Sequence, residues 1–306
     1  MSEGIEDLKD RELPPTKKEK RFPVVEIFGP TIEGEGALVG TQVMFIRFGL
    51  CDYKCTMCDS MHAVDPKLVK AGALWLTAEE ICQTVLRLAT SKNAMHIDTI
   101  VFSGGNPCIH DLGELVTLLK ENHYKVAVET QGTFCPDWLF RVDHIAVSPK
   151  SPGMGEKFEE DKFTAFMQKI VVDSPHPSPD LCVKVVIFSN IDFEFAYGVS
   201  RICLQFEGYN DFSLHTRFYL SLGNGEPPVF GILHNPEGDK IIQAGRLISD
   251  KNDQGISVDS HKNSLVVNLL NRYNILCEEL IKDPRLSFAK FLPQLHALVW
   301  GNETGR

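Results

Sequence analysis

No stretch of this 306-residue chain carries the roughly 18 consecutive apolar residues that a membrane-crossing helix needs. Its start also lacks the basic residues, apolar middle and small-residue cleavage site of a secretory signal, so a cytosolic location is the expectation. There is no basic surplus: 31 Lys and Arg stand against 41 Asp and Glu, a net charge of −10. Nucleic-acid affinity rests on clustered cations that neutralise phosphates, so neither a nucleic acid nor a membrane is an expected partner, and a small molecule fits better. Nor is there a spread cysteine framework. The nine cysteines are odd in number and three fall within eight residues, which points to metal binding or free thiols rather than to bridges.

What the chain does have is 43% hydrophobic residues, enough for a substantial core. Residues 1–20 mix both charge signs with a Pro pair and read as a disordered tail, and residues 21–306 read as one domain. VVEIFG and TQVMFIRFG, separated by the Gly-rich TIEGEG, predict two strands in a hairpin. LTAEEICQTVLRLATS predicts a helix capped by Thr77 with Glu80 three residues on, and HDLGELVTLLKENH, TAFMQKIVV and DFEFAYGVSRI predict further helices. Between them DTIVFSGG, YKVAVETQG, HIAVSPK, LCVKVVIFS and TRFYLSLGN have strand length and composition. Residues 225–262 show no sustained period and read as an irregular insertion, after which SLVVNLLNRYNILCEELIKD predicts a long helix.

Strands alternating with helices imply an α/β fold with a parallel sheet of about six strands and function at their carboxyl ends. Polar or Gly-rich segments follow four of the runs, at residues 103–106, 129–132, 148–150 and 222–224. Four such ends converge only if the strands curl into a barrel or open barrel with one functional rim.

CDYKCTMCD, residues 51–59, spaces Cys51, Cys55 and Cys58 as CxxxCxxC. Simple burial would scatter cysteines. A structural zinc site is open to Cys51, Cys55, Cys58 and His62 as a Cys3His set. An iron-sulfur cluster is also open; with three thiolates, one iron is left for a ligand bearing an amine and a carboxylate, as S-adenosylmethionine does. The other six, Cys82, Cys108, Cys135, Cys182, Cys203 and Cys277, read as small buried hydrophobes.

FIRFGLCDYKCTMCD resembles the signature of the radical S-adenosylmethionine superfamily, and SGGNP at residues 103–107 resembles its glycine-rich motif. EIFGPTIEGEG, SGGNP, VETQGT, SPK, KVVIF, FYLSLGN and LPQLHALVWGN then resemble, in that order, the 7-carboxy-7-deazaguanine synthase family, from about Phe22 onward apart from the insertion. A glycyl-radical activase shares the cysteine motif but is not expected to carry IEGEG or LPQLHALVWGN.

That resemblance implies a partial, open TIM-like barrel of the radical S-adenosylmethionine type and a homodimeric lyase supplied with electrons by a reductant such as flavodoxin. The lyase would convert 6-carboxy-5,6,7,8-tetrahydropterin to 7-carboxy-7-deazaguanine, a precursor of 7-deazapurines such as queuosine, with loss of ammonia. The cofactors implied are a 4Fe–4S cluster, S-adenosylmethionine used catalytically, and magnesium. On matching positions, Cys51, Cys55 and Cys58 would hold the cluster and Ser60 the magnesium, while Ile32, Glu33, Gly34, Arg47 and Ser103 would bind the pterin. Met57, Cys58, Asp59, Gly105, Glu129, Ser148, Pro149, Lys150, Leu222, Gly223 and Asn224 would line the S-adenosylmethionine site. No side chain is implied as an acid or base, because the adenosyl radical abstracts the hydrogen. Trp300, Gly301 and Asn302 stand where the family folds its tail over the substrate, and Glu33 stands where it usually has Gln.

Overall fold

The structure, a computed structural model, describes residues 19–175, 177–224 and 260–300. Most of the expected tail, residues 225–259 of the expected insertion, and Gly301 and Asn302 lie outside the described residues.

The predicted hairpin is β1 (Phe22–Ile32) and β2 (Gln42–Phe48), paired antiparallel with Glu26 opposite Arg47. Two short helices follow the cysteine loop, α1 (Met61–Val64) and α2 (Pro66–Gly72). The second starts on Pro66 behind Asp65, whose side chain accepts from the Lys67 and Leu68 amides, satisfying two donors that the first turn leaves open. β3 (Leu74–Leu76) lies against the outer edge of β1. In α3 (Ala78–Ser91) Thr77 and Glu80 form the expected reciprocal capping box, and Ile81, Val85 and Ala89 are buried.

The chain then alternates through β4 (Thr99–Gly104), α4 (Gly113–Glu121), β5 (Lys125–Thr130), β6 (His144–Val147), α5 (Glu160–Met167), β7 (Asp180–Ile187), α6 (Asn190–Cys203), α7 (Leu214–Arg217) and β8 (Phe218–Leu222). α8 (Ser260–Lys282), β9 (Lys290–Leu292) and α9 (Leu295–Trp300) close it. α8 begins inside the stretch read as insertion. Among the described residues no helix is long and apolar enough to cross a membrane.

Among the described residues nine strands form one sheet, in the order β3-β1-β2-β4-β5-β6-β7-β8-β9, parallel from β2 to β9. The six expected parallel strands are β2 and β4 to β8, and β9 adds a seventh on one edge. The sheet is open: β3 and β9 are its two edges.

Side chains alternate across each strand, and this decides what faces the helices and what faces the hollow of the sheet. Ile46, Phe48, Ile100, Phe102, Val126, Val128, Val185, Ile187, Leu220 and Leu222 join the main core with Ile81, Leu115, Phe163 and Phe193. The intervening positions on the other face include Arg47, Ser103, Glu129 and Lys184. These four polar residues of otherwise apolar strands therefore occupy one side.

Candidate functional site

A cavity of about 230 Å³ opens at the carboxyl ends of the parallel strands. It gathers Cys51, Cys55 and Cys58 with Ile32, Glu33, Gly34, Arg47, Met57, Asp59, Ser60, Ser103, Gly105, Glu129, Ser148, Lys150, Gly223 and Asn224. Two expected site residues do not line it. Leu222 falls on the helix-facing side of β8 and packs in the main core, because the two-residue period assigns it there, and Pro149 is buried beside the cavity without lining it.

The rim is built by pressing β4's end against the cysteine loop. Gly105 N donates to the Phe48 carbonyl at 3.0 Å and Asn106 N to the Leu50 carbonyl at 2.9 Å. A Cβ on Gly105 would stand 1.9 Å from the Leu50 carbonyl oxygen, so only glycine permits this approach. Side chains complete the attachment: Asp52 accepts from Asn106 Nδ2 at 2.8 Å, Gln131 Nε2 at 2.5 Å and Thr133 Oγ1 at 2.6 Å. Asn106 is wholly buried, and its Oδ1 accepts from Thr130 Oγ1 at 3.0 Å and from the Cys108 amide at 3.1 Å.

The floor is charged. Lys184 is buried in contact with Glu35, its ammonium lies 3.7 Å from Glu129, and Gln294 donates to Glu35 from the far end of the chain. Glu33, 5% exposed, accepts from the Glu35 amide at 3.1 Å. Burial outweighs the attraction of Lys184 and raises the Glu33 carboxyl to about 7; burial and then Glu33 itself raise Glu129 to about 8. Burial likewise lowers Lys184 to about 8, and it lowers His296, whose ring lies against Gly34. Several polar atoms of this lining have no hydrogen-bond partner, namely Ser103 Oγ, Gln294 Oε1 and His62 Nε2. Buried polar groups are nearly always paired, so Ser103 Oγ and Gln294 Oε1 are available to a ligand's polar atoms, whereas His62 Nε2 faces Glu26 at 3.6 Å.

On the β2 side, Arg47 Nε donates to Glu26 at 2.5 Å and Arg47 Nη1 to Ser60 Oγ at 3.0 Å, and Ser60 Oγ donates to Asp59 Oδ1 at 3.0 Å. The pair Ser60 and Asp59 offers adjacent hard oxygens of the kind magnesium selects.

The three thiols fit a cluster better than a single ion. Among the described residues no three His, Cys, Asp or Glu side chains gather as one metal ion requires, and His62 Nε2 lies 3.6 Å from Glu26. A cubane spreads its thiolates over separate irons, which three cysteines around one cavity can meet. Of the other cysteines, Cys82, Cys108, Cys182 and Cys203 are buried as expected, and Cys135 and Cys277 are partly so.

Several lining residues carry no role in the sequence reading: Glu35, Lys184, Gln294 and Gln131, together with His296, which reads equally as a structural histidine. Glu35 lies within IEGEG, Gln131 within VETQGT, Lys184 within KVVIF, and Gln294 and His296 within LPQLHALVWGN, so the motifs held the signal while their roles needed the fold.

No family model matches the chain. It is 34% identical to the 7-carboxy-7-deazaguanine synthase of Bacillus cereus over 286 residues, 93% of this chain and 99% of that protein. To the enzyme of that name from Bacillus subtilis it is 34% identical over 290 residues, 94% of this chain and 99% of the relative. Of solved structures, QueE from Escherichia coli superposes with a TM-score of 0.49 at 21% identity, over 66% of this chain and 84% of that one. Streptococcus suis SuiB bound to S-adenosylmethionine superposes with a TM-score of 0.45 at 12% identity, over 81% of this chain and 50% of that one. Spanning its Bacillus relatives almost end to end at one identity in three, the chain belongs to the 7-carboxy-7-deazaguanine synthase family.

Proposed function

We propose that the protein converts 6-carboxy-5,6,7,8-tetrahydropterin to 7-carboxy-7-deazaguanine with loss of ammonia. The observation that carries this reading is the single cavity that joins three cysteines to a floor rich in carboxylates, in a chain of this family. When bound, a 4Fe–4S cluster with S-adenosylmethionine supplies a 5'-deoxyadenosyl radical for hydrogen abstraction.

The chain's own residues fit the remaining tasks. Cys51, Cys55 and Cys58 would anchor the cluster, and the close backbone approach at Gly105 fixes their loop against the end of β4. Glu33, Glu35 and Glu129 offer acceptor oxygens that match the N–H donors of an aminopyrimidinone, and Ser103 Oγ and Gln294 Oε1 stand unpartnered for ring atoms. Arg47 presents a planar cation to the substrate carboxylate from a position fixed by Glu26. Magnesium would sit at Ser60, with Asp59 beside it, where Arg47 Nη1 now donates to the same hydroxyl. The apolar walls at Phe28, Phe45 and Phe188 limit the water around the reacting centre. A homodimer, a cytosolic setting and a one-electron reductant such as flavodoxin follow from the family resemblance.

The test is anaerobic reconstitution, reduction, and incubation with S-adenosylmethionine and the carboxytetrahydropterin, with and without magnesium. Deazapurine is expected, its yield falling without magnesium and in Ser60→Ala. Cleavage of S-adenosylmethionine with no deazapurine would overturn the assignment.

A further inference from the structure

The Gln131 side-chain amide occupies a position that the proposed substrate chemistry does not use. Gln131 is 5% exposed, and its Nε2 lies 2.5 Å from Asp52 Oδ1 and 3.6 Å from Cys51 Sγ. An amide nitrogen has two hydrogens, and here one reaches the carboxylate and the other the sulfur. Asp52 is itself held by Asn106 and Thr133, so it acts as a fixed post against which the amide is turned. Cys51 Sγ also accepts from the Tyr53 amide at 3.4 Å. The first cysteine of the motif thus receives a side-chain donor in addition to a backbone one.

We propose that Gln131 is a positioning residue that sets the reduction potential of the cluster through its N–H contact to the Cys51 thiolate, with Asp52 orienting the amide. Adding an electron makes the cluster and its thiolates more negative, and a donor aimed at one of those sulfurs stabilises that state more than the oxidised one. The contact therefore raises the potential. This inference rests on the cluster reading above and concerns how the chain tunes the cluster once it is held.

The test is an EPR-monitored redox titration of the reconstituted protein without substrate. Gln131→Met keeps the side chain's length and removes the donor. Its one-electron reduction equilibrium should shift about tenfold toward the oxidised cluster, a midpoint roughly 59 mV lower. Thr133→Val removes one of the two other contacts that hold Asp52 and should lower the midpoint in the same direction by a smaller amount, because Asn106 still holds the carboxylate. An unchanged midpoint in a cluster-loaded Gln131→Met protein overturns the proposal. Should that variant load no cluster, pulsed EPR on wild-type protein labelled with 15N at glutamine side chains decides: a 15N coupling to the reduced cluster supports the contact, and its absence overturns it. Wild-type protein that takes up no iron and sulfide would instead overturn the function proposed above, so the two failures are distinguishable.

Discussion

The rim and the floor of the cavity are both polar, but they are finished to different degrees. At the rim, Asp52, Asn106, Gln131 and Thr133 satisfy one another with hydrogen bonds of 2.5 to 2.8 Å to the Asp52 carboxylate, and the backbone of Gly105 and Asn106 closes on the cysteine loop. The floor sets three carboxylates, Glu33, Glu35 and Glu129, around one lysine, and leaves Ser103 Oγ and Gln294 Oε1 without partners. A closed network positions what it surrounds, whereas an incomplete one awaits a ligand that completes it. The rim thus reads as scaffold for the cysteines and the floor as the recognition surface.

The change expected to break this contrast most strongly is at the cysteines. Cys55→Ala should abolish turnover altogether and remove the visible absorbance of the reconstituted cluster, with the fold retained by circular dichroism. Next comes Lys184→Met, which leaves Glu35 buried without its cation and should cost about 3–5 kcal/mol, read from denaturant unfolding. If the loss is near zero, the floor is not held together by that pair.

The floor also predicts a pH dependence. Glu33 has a raised folded value of about 7, so between its ordinary value of 4.5 and about 7 the folded protein binds more protons than the unfolded chain. Stability must therefore fall as pH rises through that window, by up to about 3 kcal/mol for this group. Glu33→Gln cannot titrate and should flatten that part of the curve, as thermal unfolding from pH 5 to 8 will show. Glu129, raised to about 8, keeps a residual slope. The smallest effect belongs to the rim: Thr133→Val removes one of Asp52's three donors and should cost about 1 kcal/mol or less. A larger loss would mean that the network does not share its load.

Much of this was legible in the sequence where chemistry is local. Thr77 and Glu80 lie three residues apart and cap their helix without help from the rest of the fold. The strand ends were visible because apolar runs stop at polar segments, and the cysteine spacing located the cavity. What could not be read depends on pairs brought together from far apart. Lys184 lies 149 residues from Glu35, and Gln294 lies 259 residues from it, so neither contact has a local signal. Lys184 also sits in an apolar run, where only the alternation of β7 shows that it faces the hollow of the sheet. Leu222 shows the same effect in reverse: it neighbours Gly223 of the cavity lining, yet its side chain packs in the core because adjacent strand positions point to opposite faces. Counting alternate positions back from Gly223 would have placed Leu222 with the core.

The most direct test of the central claim is the product balance of the reconstituted, reduced protein given S-adenosylmethionine, magnesium and 6-carboxy-5,6,7,8-tetrahydropterin. One 7-carboxy-7-deazaguanine and one ammonia per pterin consumed, with S-adenosylmethionine recovered, is the predicted result. Consumption of S-adenosylmethionine to 5'-deoxyadenosine while the pterin remains unchanged would contradict it.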